Sequence, residues 1–340
     1  MSAPFARINN STHTHMDGAF ALISILPQLY DMAKIEFPFN RWGNYHKEIK
    51  KLFYEPQGDI VQLFSNITKV MQTKEALILV AATFTRFHAR QGFRYCEATI
   101  APQYHTKAGL TEEEVIRALV KGIKIGEREY PEIEMNIIFT IGREASPEEG
   151  VRLVEAASRC NRNYVVGIGL ACDEAGYPPQ RHIPAFRRAK ELGFKTTAHA
   201  GEWASADLNA EMYEAQLVEN IRCAIFDLEV DRIGHAIPLG RHPELISEVV
   251  KRGVGIEGCP GSNLASELIP NMKYLKIRDM LQAGVLYFIN ADDDLFLPDI
   301  NETYWLCDEE YDFSDEEKAQ MIKNSWLTRF GRRKYQSPVL

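Results

Sequence analysis

Two histidines one residue apart, His13 and His15 in the run His13-Thr14-His15-Met16-Asp17-Gly18-Ala19, are the strongest chemical signal in the chain. In an extended segment residues i and i+2 face the same side, so both imidazoles form a two-nitrogen clamp suited to a borderline metal such as zinc. Three further runs end in imidazoles or carboxylates: Ala198-His199-Ala200-Gly201-Glu202, Arg232-Ile233-Gly234-His235 and Phe288-Ile289-Asn290-Ala291-Asp292-Asp293-Asp294. Successive carboxylates after an apolar strand repel one another unless a cation or shared protons neutralise them, the alternative being a solvated acidic loop. The residues read as three neutral imidazoles (His13, His15, His199) and Asp292 around one metal ion, with room for a water whose pKa falls toward about 7. Glu202 and His235 remain as proton handlers. The chemistry is metal-assisted hydrolytic attack on an unsaturated carbon.

Such side chains need a frame that brings distant runs together. Short β-branched or aromatic runs, at about 7–13, 93–100, 134–141, 164–171, 194–200, 231–236, 254–260 and 285–291, alternate with helix-like segments. That pattern predicts a (β/α)8 TIM barrel, whose active sites lie at the C-terminal strand ends, where the four histidines fall. Helices are expected from Thr111 to Gly126, from Ser146-Pro147-Glu148-Glu149 onward, from Arg241 to Arg252 and from Lys276 to Gly284. The stretch 17–92 is too long for one crossover and predicts a helical insertion after the first strand, a candidate cap over the barrel mouth. Within it Phe37, Phe39 and Trp42 are either gate residues or core. The basic tail from Gly331 to Leu340 reads as a solvated end. One barrel domain, 1–340, accounts for the chain.

The remaining composition excludes several classes. Of 340 residues, 45% are hydrophobic and 25% charged, as in ordinary globular proteins. With 39 bases against 47 acids the net charge is −8, which offers no global positive field for nucleic acid. The apolar stretch Ala76 to Ala82 is far shorter than the roughly 20 residues of a membrane span, so no membrane partner is expected. Residues 1–10 lack an apolar signal core, which points to the cytoplasm. The six dispersed cysteines, with no C-x-x-C pair, read as reduced buried thiols.

Together these motifs resemble the adenosine deaminases of the metal-dependent hydrolase superfamily. The resemblance runs through His13 to Ala19, Tyr95-Cys96-Glu97 with Pro102, Val165 to Glu174, His199-Ala200-Gly201-Glu202, Arg232 to His235, Cys259-Pro260-Gly261-Ser262-Asn263 and Asn290-Ala291-Asp292-Asp293. It implies one zinc ion on His13, His15, His199 and Asp292, whose hydroxide attacks C6 of a 6-aminopurine. It also implies that Glu202 protonates N1, which demands a raised pKa, that His235 accepts the hydroxide's proton, and that Asp293 meets the N7 side. His15, Asp17, Cys172 and Asp293 would touch substrate, Asp17 at a ribose hydroxyl and the Cys172 N–H at N3. Relatives acting on adenine or aminodeoxyfutalosine commonly carry Glu in the first motif, so Asp17 favours adenosine or 2′-deoxyadenosine.

The fourth-strand motif departs from the family's D-L-A-G-D-E, with Gly169 at its first position and Cys172 at its glycine. The Cys172 side chain would crowd a base that glycine accommodates. Gly169 and the Gly176-Tyr177-Pro178-Pro179 turn are similar to the adenine and aminodeoxyfutalosine branches, which keeps those substrates as alternatives. A non-catalytic zinc or purine binder is the alternative of another class; Glu202 and His235, which a structural zinc site does not need, argue against it.

Overall fold

The computed structural model describes residues 8–53 and 60–338. The apolar runs form eight strands: β1 (Asn10–His15), β2 (Tyr95–Ile100), β3 (Glu134–Gly142), β4 (Val165–Ala171), β5 (Lys195–Ala200), β6 (Arg232–His235), β7 (Gly255–Gly258) and β8 (Leu286–Ile289). They pair in parallel and in chain order, and nearly every strand residue is buried, as expected where both faces of a parallel sheet are covered. Where β8 returns to β1, Thr14 bridges Asp292, and Asn290 Oδ1 accepts the N–H groups of Thr12 and His13 at 3.2 and 3.1 Å. A side-chain amide thus supplements the ladder at the seam of a (β/α)8 barrel. The first strand runs two residues beyond the expected 7–13, because pairing with β2 continues through Thr14 and His15 after an irregularity. Its expected first residue, Arg7, lies outside the described residues.

Helices surround the strands where local signals begin them. The insertion carries α1 (Leu26–Ala33), α2 (Tyr45–Phe53) and α3 (Ile60–Thr68), followed by α4 (Lys74–Arg90). Then come α5 (Glu112–Glu129), α6 (Pro147–Ser158), α7 (Ile183–Glu191), α8 (Ala210–Phe226), α9 (Pro243–Arg252), α10 (Pro260–Ala265), α11 (Ile277–Gln282), α12 (Ile300–Tyr311) and α13 (Asp315–Thr328). Reciprocal capping boxes start α5 at Thr111 and Glu114 and α6 at Ser146 and Glu149, satisfying amides the first turn leaves open. Helix α4 packs along α5 as part of the barrel's outer layer. The insertion proper is therefore shorter than 17–92.

Two expectations need correction, and the choice between gate and core for the aromatics resolves. Phe37 is buried against Tyr30, Phe39 and Tyr45, whereas Trp42 is 96% exposed, so these aromatics form a small core of the insertion and an exposed ring, not a gate. The cavity wall instead takes Phe64, Ser65 and Thr68 from α3. Five cysteines are buried free thiols, but Cys172 is open to that cavity. The tail is not a solvated end. Arg333 pairs with Glu127 at 2.9 and 2.6 Å, and the backbone N–H groups of Arg333 and Lys334 donate to buried Glu134 at 2.9 and 2.6 Å. Its basic residues neutralise carboxylates under the barrel; 339–340 lie outside the described residues.

One core histidine makes the fold sensitive to acid. On α4, His88 Nδ1–H donates to the Phe84 carbonyl at 2.9 Å, and burial pushes the imidazole down from 6.5 to about 4. Below pH 6.5 the unfolded chain binds this proton and the folded chain does not, so stability falls as pH drops toward 4, by about 3 kcal/mol. Urea midpoints at pH 7 and pH 4.5 should differ, and His88→Leu should narrow the gap; an unaltered gap would refute this account.

Candidate active site

The C-terminal strand ends bring the expected residues together. β1 delivers His13 and His15, β5 delivers His199, β6 delivers His235, and the turn after β8 delivers Asp292 and Asp293. His15 Nε2 lies 3.2 Å from His199 Nε2 and 3.3 Å from Asp292 Oδ1, while His13 Nε2 is 3.6 Å from the same oxygen. Donor atoms of His13, His199, His235 and Asp292 all fall within 4.8 Å of one another, and His15 forms a second such group with Asp292 and Asp293. His235 thus sits nearer the cluster than the sequence implied. Its Nε2 also faces Glu202 Oε2 at 3.4 Å, with Asp292 Oδ2 at 3.9 Å.

Hydrogen bonds behind the rings decide which nitrogen faces inward. His13 Nδ1 bonds Glu257 Oε2 at 2.7 Å, His199 Nδ1 bonds the Leu170 carbonyl at 3.0 Å, and His235 Nδ1 bonds Asn263 Oδ1 at 2.8 Å. Each acceptor takes the proton of Nδ1 and leaves the Nε2 lone pair directed at the cluster. The buried Nε2 atoms of His13 and His235 have no hydrogen-bond partner among the described residues, which fits a group that takes a cation. Ser262 steadies Asp292 by donating to Oδ2 at 2.7 Å. Two motif glycines make room: a Cβ on Gly18 would stand 1.7 Å from Asp293 Oδ1, and one on Gly234 would stand 2.8 Å from His13 Cε1.

Electrostatics divides the acids. Burial raises both Glu202 and Asp293 above the ordinary carboxylate range, with Asp292 adding repulsion in each case. Asp292 is held well below that range: burial opposes its charge, but the close imidazoles of His13, His15 and His235 outweigh it. Burial and the neighbouring imidazoles push His199 well below its usual value. His15 is raised to about 9, because Asp293 and Asp292 overcome its burial. The cluster is short of positive charge, which a divalent ion supplies.

Asp17 is buried at the same mouth, 3.4 Å from His105 Nε2, and His105 holds its carboxyl below the usual value against the effect of burial. Cys172 adopts φ +81, the left-handed conformation in which glycine is at ease. Its Sγ lies 3.4 Å from the Tyr104 hydroxyl, which is 2.5 Å from Glu144 Oε2. Asp294 faces away, accepting the Phe20 N–H at 2.6 Å. His15, Asp17, Cys172, Glu202, Asp292 and Asp293 all line one cavity of about 490 Å3.

Sequence reasoning gave no role to several residues that build this site. Glu174 accepts N–H groups of Gly201, Glu202 and Trp203 at 2.8, 2.8 and 3.0 Å, so it fixes the turn carrying Glu202. Its signal was present, since it ends the fourth-strand motif, as Asn263 ends the Cys259 motif. His105 had none.

The sequence model of the family described as adenosine deaminase matches residues 9–337. An adenosine deaminase of Clostridium acetobutylicum is 27% identical over 330 residues, 96% of this chain and 94% of that one. An aminodeoxyfutalosine deaminase of Streptomyces avermitilis is 29% identical over 269 residues, 78% and 71% of the two chains. Among solved structures, an adenine deaminase from Arthrobacter aurescens superposes with a TM-score of 0.80 at 23% identity, covering 97% of this chain and 94% of the other. With its metal-binding cluster at the mouth of the same barrel, this chain belongs to the adenosine deaminase family and is a hydrolytic deaminase.

Proposed function

We propose that the protein deaminates a 6-aminopurine nucleoside, converting adenosine or 2′-deoxyadenosine to inosine or 2′-deoxyinosine and ammonia. The reading takes the chain as one cytoplasmic barrel domain with one zinc ion on His13, His15, His199 and Asp292. Zinc in that donor set supplies Lewis acidity and brings the pKa of water toward about 7. Glu202, whose carboxyl burial pushes toward the protonated form, donates to N1 as water oxygen adds to C6. His235 takes the proton from the attacking water and passes it to the amino group, which departs as ammonia while the C6 hydroxyl proton returns to Glu202. Asp293, also raised, donates a hydrogen bond to N7. Asp17 accepts from a sugar hydroxyl, His15 borders the same contact, and the Cys172 N–H meets N3.

One observation carries the proposal: Glu202 and His235 face each other at 3.4 Å beside the imidazole cluster, a proton donor and a proton acceptor flanking one point. A structural metal site has no use for such a pair. Glu202→Gln should lower kcat for adenosine about 10²- to 10⁴-fold with metal content unchanged, read from the ultraviolet change of purine to hypoxanthine. A wild-type rate would overturn the mechanism. Stripping the metal with a chelator should abolish turnover, and stoichiometric zinc should restore it; turnover that survives stripping would remove the ion from the chemistry.

Cys172 supports the second reading, a different 6-aminopurine such as adenine or aminodeoxyfutalosine, because its side chain occupies wall space where glycine would have none. If adenosine is the substrate, Cys172→Gly relieves the left-handed strain, worth roughly 1 kcal/mol, and leaves kcat/KM for adenosine equal or several-fold higher. A variant that gains adenosine turnover while losing turnover of another 6-aminopurine would identify Cys172 as the selecting residue for the alternative.

A further inference from the structure

Two charged residues of the sequence motifs take no part in the chemistry above: Glu97 after Tyr95-Cys96, and Arg232 two residues before Gly234. Both are fully buried. Arg232 Nε donates to Glu257 Oε1, one terminal nitrogen donates to Glu97 Oε2 at 2.5 Å, and the other donates to the Thr328 carbonyl at 3.0 Å. Each carboxylate has a second oxygen turned elsewhere. That of Glu257 bonds His13 Nδ1 at 2.7 Å, and that of Glu97 accepts the Phe330 N–H at 2.5 Å. The Phe330 ring covers the guanidinium, with Cζ 3.6 Å from its centroid.

These contacts form one continuous series from the C-terminal segment to His13: Phe330, Glu97, Arg232, Glu257, imidazole. A guanidinium is a planar fork whose donors sit at fixed angles, so the seat it finds on Glu97 and Thr328 sets where Glu257 can lie. Glu257 in turn sets the tautomer and tilt of the ring. Stability alone gives little reason for such a group, since apolar side chains of similar volume commonly serve a buried position as well or better than an ion triad.

We propose that the segment around Phe330 is a positioning device for the metal centre, acting on His13 through Glu97, Arg232 and Glu257. The proposal rests on His13 being a metal ligand, as read above. It assigns the segment leading into the tail a function at the face of the barrel opposite the substrate. Loss of such an outer partner typically costs 10- to 100-fold in metal affinity.

The test compares release of cobalt(II) to excess chelator, followed by its visible absorption, with thermal midpoints of the metal-free proteins. Phe330→Ala uncovers the guanidinium without removing a charge, and Glu257→Gln removes the carboxylate against His13. Arg333→Gln breaks the Glu127 pairs on the same tail but outside the series. Phe330→Ala and Glu257→Gln should release cobalt about 10-fold faster with an altered spectrum, and Arg333→Gln should release it as wild type does although its midpoint falls. Wild-type release from Phe330→Ala, or equal acceleration in Arg333→Gln, would overturn the proposal and leave the ligand reading standing. Wild-type protein that retains no cobalt would overturn the ligand reading itself and the positioning role with it.

Discussion

A neutral imidazole has one lone pair, and the partner of its other nitrogen decides where that lone pair points. In this barrel the decision is made by other elements. Glu257 on β7 faces His13 on β1, the Leu170 carbonyl on β4 faces His199 on β5, and Asn263 on α10 faces His235 on β6. Strand register therefore decides which nitrogens face one another. A slip of one residue would turn each imidazole to the other side of the sheet and break the cluster. Gly234 belongs to the same constraint, because any larger residue would meet the His13 ring.

The carboxylates show the same dependence on surroundings. Asp292 lies among imidazoles and the Ser262 hydroxyl, which favour its ionised form, whereas Asp293 and Glu202, neighbours of that charge and equally removed from water, are pushed toward protonation. One mouth thus holds an acceptor carboxylate beside two carboxyl groups biased to donate, without any difference in intrinsic chemistry between them. The division follows from position alone.

The eight strands and the residues at their ends were legible in the sequence because both signals are local: an apolar run, then an imidazole or an acid. The (β/α)8 barrel and the clustering of His13, His15, His199, His235 and Asp292 followed from them. What was not legible is non-local. The tail reads as solvated because its partners, Glu97, Glu127 and Glu134, stand some 200 residues earlier, Phe330 reaching Glu97 across 233 positions. His105 carries no local mark, and its relation to Asp17 exists only in the folded chain. Phe37 and Trp42 are equally aromatic in sequence but opposite in burial, which depends on whether Tyr30 and Tyr45 are at hand.

The Asn290 seam has a consequence for the order in which the protein comes into being. The amide joins Thr12 to a residue 278 positions away, and Asp292 meets His15 at the same seam. Contacts of such sequence separation are slow to form, because the intervening loop must first be ordered. During synthesis the N-terminal histidines emerge early and wait, incompletely partnered, until nearly all of the chain has followed. Ring closure and assembly of the imidazole–carboxylate cluster are then one event, so a nascent chain interrupted before Asp292 holds an open sheet edge and no finished site.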